Sequence, residues 1–312
     1  MKLFRETSTQ NRTDGLFKFI TLIGAAILLL IIAALFVQLI RSSELAFKTF
    51  GWSFIWSGEW NPIRGQFGAA SSIYGTLVST AIAMLFAVPL SIFIALFLVE
   101  LAPPTISRWI GIGIELLAAM PSIIYGMWGL FVFAPFMGKY IQPFLQSVFG
   151  NSVLFQGPPI GIGMLTAGII LTFMILPFIS AVTRDVFGMV PSVVKESAYG
   201  MGATTWEVTR QVTLRYGIRG IIGGAFLGLG RAIGETMAVT FVIGNSHRIV
   251  PSLFAPANSI TATLANEFAE ASEPLYLSAL IELGLILFVI TFLIQAVSQI
   301  WLKRVRKSMG VQ

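Results

Sequence analysis

One short stretch of this 312-residue sequence sets two charges inside an apolar run: LGRAIGETMAV (229–239), with Arg231 and Glu235 four residues apart. A guanidinium is planar, permanently charged and fork-shaped, which suits an oxyanion. A glutamate one helical turn away would keep such a site near neutral. The chemistry on offer is therefore anion contact along a pathway, or an ion pair locking two packed surfaces. Bond-making chemistry has little support elsewhere. The chain has no cysteine and one histidine, His247, which excludes disulfides, thiolate metal sites, cysteine nucleophiles and multi-histidine metal centres. No GxxxxGK[ST] phosphate loop occurs, since Gly138-Lys139 is followed by Tyr140. There is no HExxH, no GxSxG and no paired-carboxylate constellation. The expectation is a chain that is not an enzyme, hydrolyses no ATP itself and needs no cofactor.

The elements that must position these charges follow from composition. Residues are 56% hydrophobic and only 11% charged, against about a quarter charged in a soluble domain. A membrane protein is indicated. The net charge of +6 then reads as loops facing the cytoplasm rather than as a nucleic-acid footprint. Runs of about 20 apolar residues mark six candidate spans, at 17–40, 73–99, 110–135, 160–183, 218–243 and 276–301. Pro89 and Pro177 fall inside two of them, where neighbouring helices can accommodate them. The run Phe19 to Ile40 is too long for a signal-peptide core and is read as an uncleaved anchor.

Orientation comes from the basic residues. With the N-terminus inside, Lys2, Arg5, Arg12, Lys18, Arg108, Arg184, Lys195, Arg210, Arg215, Arg219, Lys303, Arg304, Arg306 and Lys307 are cytoplasmic, while Arg41, Lys48, Arg64, Lys139 and Arg248 are external. That asymmetry predicts both termini inside. The external segments are 41–72, 136–159 and 244–275. Trp52, Trp56 and Trp60 in the first read as an interfacial aromatic belt on a short helix, with a partner surface as the alternative. None is long enough to form an independent binding domain, so a scarce solute would have to be captured by another protein.

Between the fourth and fifth spans lies RDVFGMVPSVVKESAYGMGATTWEVTRQVTLRYGIRG. A helix is predicted over Val190–Met201, with Pro191 and Ser192 at its start and Gly202 as its terminator. Thr204 with Glu207 three residues on forms a capping box opening a second helix. Here Glu196-Ser197-Ala198, then Gly202, then Val212-Thr213-Leu214 resemble the EAA motif of permease subunits of bacterial ABC importers, with its spacing kept. Ser197 stands where the motif has Ala. Arg215 replaces the closing Pro, which predicts a less sharply bent lead into the next span. The resemblance extends over about 68–303. IYGTLVSTAIAMLFAVPLSIFIALFLVE (73–100), MPSIIYGMWGLFVF (120–133), GLGRAIGETMAV (228–239) and NSITATLANEFAEA (258–271) are similar to the PstC type of permease in phosphate-specific importers, more than to its PstA-type partner.

The resemblance implies an all-α integral membrane protein with six transmembrane helices, N-in and C-in, and a type I ABC importer permease core. It divides the chain into a tail, first span and external segment at 1–67, a permease core at 68–303 with a coupling loop at 184–217, and a tail at 304–312. It implies a second homologous permease of the PstA type, a PstB-type cytoplasmic ATPase dimer and a PstS-type external phosphate-binding protein as partners, in the bacterial cytoplasmic membrane. Glu196, Ser197, Ala198 and Gly202 would couple to the ATPase. The alternatives are the same architecture serving molybdate, sulfate or an amino acid, or an ion-gradient-driven transporter, which would leave the EAA-like loop unexplained.

On a continuous fifth helix, Gly220, Gly224, Gly228, Arg231 and Glu235 project at about 0°, 40°, 80°, 20° and 60°. The glycines form overlapping GxxxG units that admit a neighbouring helix, and the charges share their stripe. Arg231 lies about 20 Å from Ile218 along the helix, deep in the membrane, where an arginine costs about 2.5–3.5 kcal/mol. An i,i+4 pair with Glu235 would offset part of this, although Arg before Glu is the weaker order. Both readings, interface lock and pathway contact, stay open. Glu115 and Glu282 are read as structural, and His247 beside Arg248 as a solvated or partner-bound loop residue that could help admit anions.

Overall fold

The computed structural model describes residues 3–150 and 152–308, and it is helical throughout apart from turns and two isolated bridges. Lys2 and the last four residues of the expected tail, 309–312, lie outside the described residues.

Helix α1 (Leu3–Ser42) is apolar on all sides from Asp14 onward, and none of its most apolar window is buried. Such a helix suits lipid. It meets the rest of the chain through α15 (Pro274–Ser308), where the rings of Phe36 and Phe288 lie 5.4 Å apart. Two short helices follow it, α2 (Glu44–Phe50) and α3 (Ser53–Trp56). Helix α4 (Ala70–Leu96) passes Pro89 without ending and closes in a π-helical turn, Phe97–Leu101.

The spine is α9 (Met164–Gly188), 67% of whose most apolar window is buried. It packs most extensively against α4, which turns Ser72, Gly75, Thr76, Ser79, Ala83, Ala87 and Ser91 inward. Small side chains at three- and four-residue spacing let two backbones approach closely. Gly168 of α9 sits so near Ile82 that an added Cβ would lie 2.5 Å from it, and Ser91 Oγ donates to the Leu176 carbonyl at 3.1 Å.

Two expected spans are not single helices. The run 110–135 is split between α5 (Pro104–Ala119) and α6 (Ser122–Trp128), with a bend of 92° between the two helical halves. Met120 is extended, φ −67° and ψ 134°, because the residue before a proline is disfavoured in the helical region, and Pro121 follows. The Tyr125 hydroxyl donates to the Leu117 carbonyl at 2.9 Å and ties the bend. The chain continues through π turns at Gly129–Phe133 and Met137–Ile141, flanking α7 (Ala134–Phe136), into α8 (Gln142–Phe149).

After α9 come α10 (Ser192–Gly200), α11 (Thr205–Val208), a π segment Thr209–Thr213 and α12 (Leu214–Ile233). The run 218–243 is thus interrupted: α12 stops at Gly234, and α13 (Met237–Val242) starts only after Glu235 and Thr236. Helix α14 (Ile260–Glu267) precedes α15. Among the described residues four helices are long and apolar enough to cross a membrane, or five if the bent pair counts as one crossing. The chain is an all-α, multi-pass membrane protein.

Candidate functional site

The three glycines of the expected stripe face α9 of the same chain. A Cβ at Gly220 would come 2.2 Å from Val186, at Gly224 3.1 Å from Val182 and at Gly228 2.6 Å from Ile179. Arg231, in the last turn of α12, is exposed. Glu235 does not continue the stripe, because the helix has ended. Its Oε1 accepts from the Ala238 amide at 3.2 Å and its carbonyl accepts from Thr261 Oγ1 at 2.7 Å. The expected Arg231–Glu235 ion pair is therefore corrected: no such pair forms among the described residues. Each charge instead sits where a helix dipole suits it, the cation at the C-terminus of α12 and the anion at the N-terminus of α13. Gly234 makes this possible by ending α12 between them.

The loop after α9 has the helix–glycine–helix form predicted for it. The Ala203 amide donates to the Ala198 carbonyl at 3.1 Å and the Gly202 amide to the Tyr199 carbonyl at 2.9 Å, with Gly202 at φ +88°. This is a Schellman ending, and its left-handed position favours glycine. Thr204 and Glu207 cap α11 reciprocally, and hydrogen bonds from the Thr204 amide and hydroxyl hold the Glu207 carboxyl below its usual range. Glu196 and Ser197 are exposed while Ala198 is buried. Ser197 Oγ donates to the Val193 carbonyl at 2.7 Å, so the hydroxyl that replaces a methyl is satisfied locally. With Arg215 in place of proline, the backbone runs through the π segment into α12 without a break. Met189, Val193, Met201 and Trp206 leave an apolar surface around the loop; Met201 is 84% exposed.

Several polar contacts have no local sequence signal. Glu100, at the end of α4, accepts from Lys195 of α10 and from Thr213, both at 2.7 Å. Arg184 of α9 donates to Glu115 of α5 at 2.8 Å. Glu282 of α15 is only 5% exposed, with Oε2 unpartnered. At the opposite end from α10, Glu267 accepts from Trp60 Nε1 at 2.6 Å and the Tyr276 hydroxyl at 2.7 Å, and its Oε1 lies 3.1 Å from His247 Nε2, which also faces Asn258 Nδ2 at 3.0 Å. Trp60 also stacks on His247, 5.4 Å between ring centroids. Trp52 and Trp56 are exposed as a belt requires, but Trp60 belongs to this half-buried node, and so does His247. A polar cavity of about 370 Å³ beside it is lined by Arg64, His247 and Arg248.

A family model described as a binding-protein-dependent transport system inner membrane component matches residues 87–307. The chain belongs to that family. The matched region holds both the α10–α11 loop and the Arg231–Glu235 break. Among relatives, the phosphate transport system permease protein PstC of Mesorhizobium japonicum is 56% identical, over 96% of this chain and 92% of the relative. The protein of the same name from Pasteurella multocida is 52% identical, covering 98% and 97%. In fold this inner membrane component resembles a bacterial alginate ABC transporter crystallised with a pentasaccharide-bound periplasmic protein, with TM-score 0.62 at 18% identity, covering 92% of this chain and 95% of that one.

Proposed function

We propose that the chain is a permease subunit of an ATP-driven importer and carries inorganic phosphate across the bacterial inner membrane. The observation that carries this reading is near-full-length similarity, at 56% identity, to a phosphate transport system permease. In this reading the chain crosses the membrane six times with both termini in the cytoplasm, two of the crossings being the broken ones, α5–α8 and α12–α13. It pairs with a second, PstA-type permease, a PstB-type ATPase dimer and a PstS-type phosphate-binding protein outside.

The ATPase docks on α10. The exposed apolar side chains around it support this, because an apolar patch at a membrane protein's polar end serves as an interaction surface, and Glu196 and Gly202 frame it. Closure of the ATPase dimer on ATP moves α10, the bundle opens outward, phosphate enters from its binding protein, and hydrolysis restores the inward state. Arg231 is the pathway contact: exposed, unpaired with Glu235 and next to a helix break, it presents its donor fork to an oxyanion. Glu235 holds the start of α13 and so sets the break's geometry.

The test is uptake of radiolabelled phosphate at low concentration by cells deleted for this chain and then resupplied with it. Restoration that depends on ATP and not on membrane potential is expected. If the chain is inserted and bound to its ATPase yet restores no uptake, phosphate is not the solute.

A further inference from the structure

Three elements meet at one carboxylate oxygen on the side of the bundle that carries α10. Glu100 lies in the π turn ending α4; its Oε1 accepts from Lys195 Nζ and from Thr213 Oγ1, each at 2.7 Å. The Glu100 side chain is 6% exposed and that of Lys195 17%. An exposed ion pair contributes at most about 1 kcal/mol and wanders among geometries. A largely buried one is held closer to a single geometry, since separating the charges costs each its partner with little water to replace it. Glu100 is thus a fixed joint.

What it joins is informative. Lys195 stands on the inward side of α10 with buried Ala198 one turn on, while Glu196 beside it faces out. Thr213 closes the π segment that feeds α12, the helix that carries Arg231 in its last turn and ends at the break. Both Glu100 and Thr213 sit in π-helical turns, which interrupt the regular ladder and recur at functional sites.

We propose that Glu100 is the positioning residue through which displacement of α10 reaches the membrane helices, pulling the end of α4 directly and the start of α12 through Thr213. This rests on the reading that α10 docks on a cytoplasmic ATPase. The joint carries force between elements and touches no solute.

The experiment reconstitutes the full complex in liposomes and measures phosphate moved per ATP hydrolysed, alongside ATPase retention on purification. Glu100→Gln keeps the side chain's size but removes its charge. Its complex is expected to assemble and hydrolyse ATP while phosphate per ATP falls about tenfold, within the usual span of coupling between sites. Lys195→Met should lower the same ratio, and the double variant should be no worse than either single, because the two residues act as one unit. The swapped pair, Glu100→Lys with Lys195→Glu, should recover part of the loss. Unchanged ratios in both singles, or losses that add in the double, overturn the proposal. Should the charge variants fail to assemble, Thr213→Val leaves the ion pair intact and cuts only the link to α12; a severalfold lower ratio supports the joint, and a wild-type ratio overturns it. A wild-type complex that retains no ATPase would instead overturn the functional reading, and this inference with it.

Discussion

A charge in the apolar part of a helix is costly, and the arrangement of Arg231 and Glu235 shows two ways of reducing that cost. The favourable dipole at a helix end contributes about 0.3–1 kcal/mol, against about 2.5–3.5 kcal/mol for an arginine at the centre of a bilayer. The dipole alone is too small, and Glu235 is committed to the Ala238 amide. Arg231 therefore requires water, a solute or another subunit. If the solute is phosphate, Arg231→Gln removes a charged donor fork, a loss of about 1.5–3 kcal/mol. Uptake by reconstituted complexes is expected to fall at least about tenfold by the same arithmetic, with the complex still intact on size-exclusion chromatography. A complex that falls apart would assign Arg231 to a subunit interface instead. The residue pair was legible in the sequence as unusual, because charges in apolar runs are rare. Its geometry was not, because projecting a stripe assumes a continuous helix and Gly234 ends it.

Elements were readable where a local rule sufficed. The capping box at Thr204 and Glu207 and the terminator Gly202 were predictable from spacing alone, since both are contacts within a few residues. The bend at Met120 obeys a local rule too, the restriction placed on the residue before Pro121, but the surrounding run of apolar residues reads as one uninterrupted span and hides it. The cap at Gly202 leads to a prediction at this scale. Nothing lies within 4 Å of a Cβ added there, so the obstacle to a side chain is its φ of +88° alone. Left-handed backbone costs an ordinary residue about 1–2 kcal/mol, enough to fray the last turn of α10. Gly202→Leu is expected to leave the chain inserted and to abolish ATP-coupled uptake, while Gly202→Asn, which tolerates that region, should keep most of it. Wild-type uptake in Gly202→Leu would show that the end of α10 does not matter for coupling.

At the scale of the whole molecule, the Glu267 node joins parts of the chain that no local pattern connects: Trp60 before α4, His247 after α13, Glu267 on α14 and Tyr276 on α15. Trp60 and Glu267 are 207 residues apart, which is why the aromatic spacing suggested a belt and missed the node. Burial alone would raise the Glu267 pKa, but hydrogen bonds from His247, Tyr276 and Trp60, with the attraction of His247, outweigh it and hold the carboxyl below its ordinary value of 4.5. A carboxylate depressed in the folded state gives stability that is complete above its unfolded pKa and is lost as pH falls through the folded one. The melting temperature of the purified chain should accordingly be insensitive to this group at neutral pH and drop as pH falls below 4.5. Glu267→Gln puts an amide NH2 where one carboxylate oxygen stood and removes the charge that strengthens the three contacts, a loss of about 1–3 kcal/mol. This variant should melt lower at neutral pH and show a shallower decline in acid, because the group that titrates is gone. Parallel curves for variant and parent would place the acid-sensitive carboxylate elsewhere, and these segments would then be held together by the apolar packing around Phe54 and Phe67.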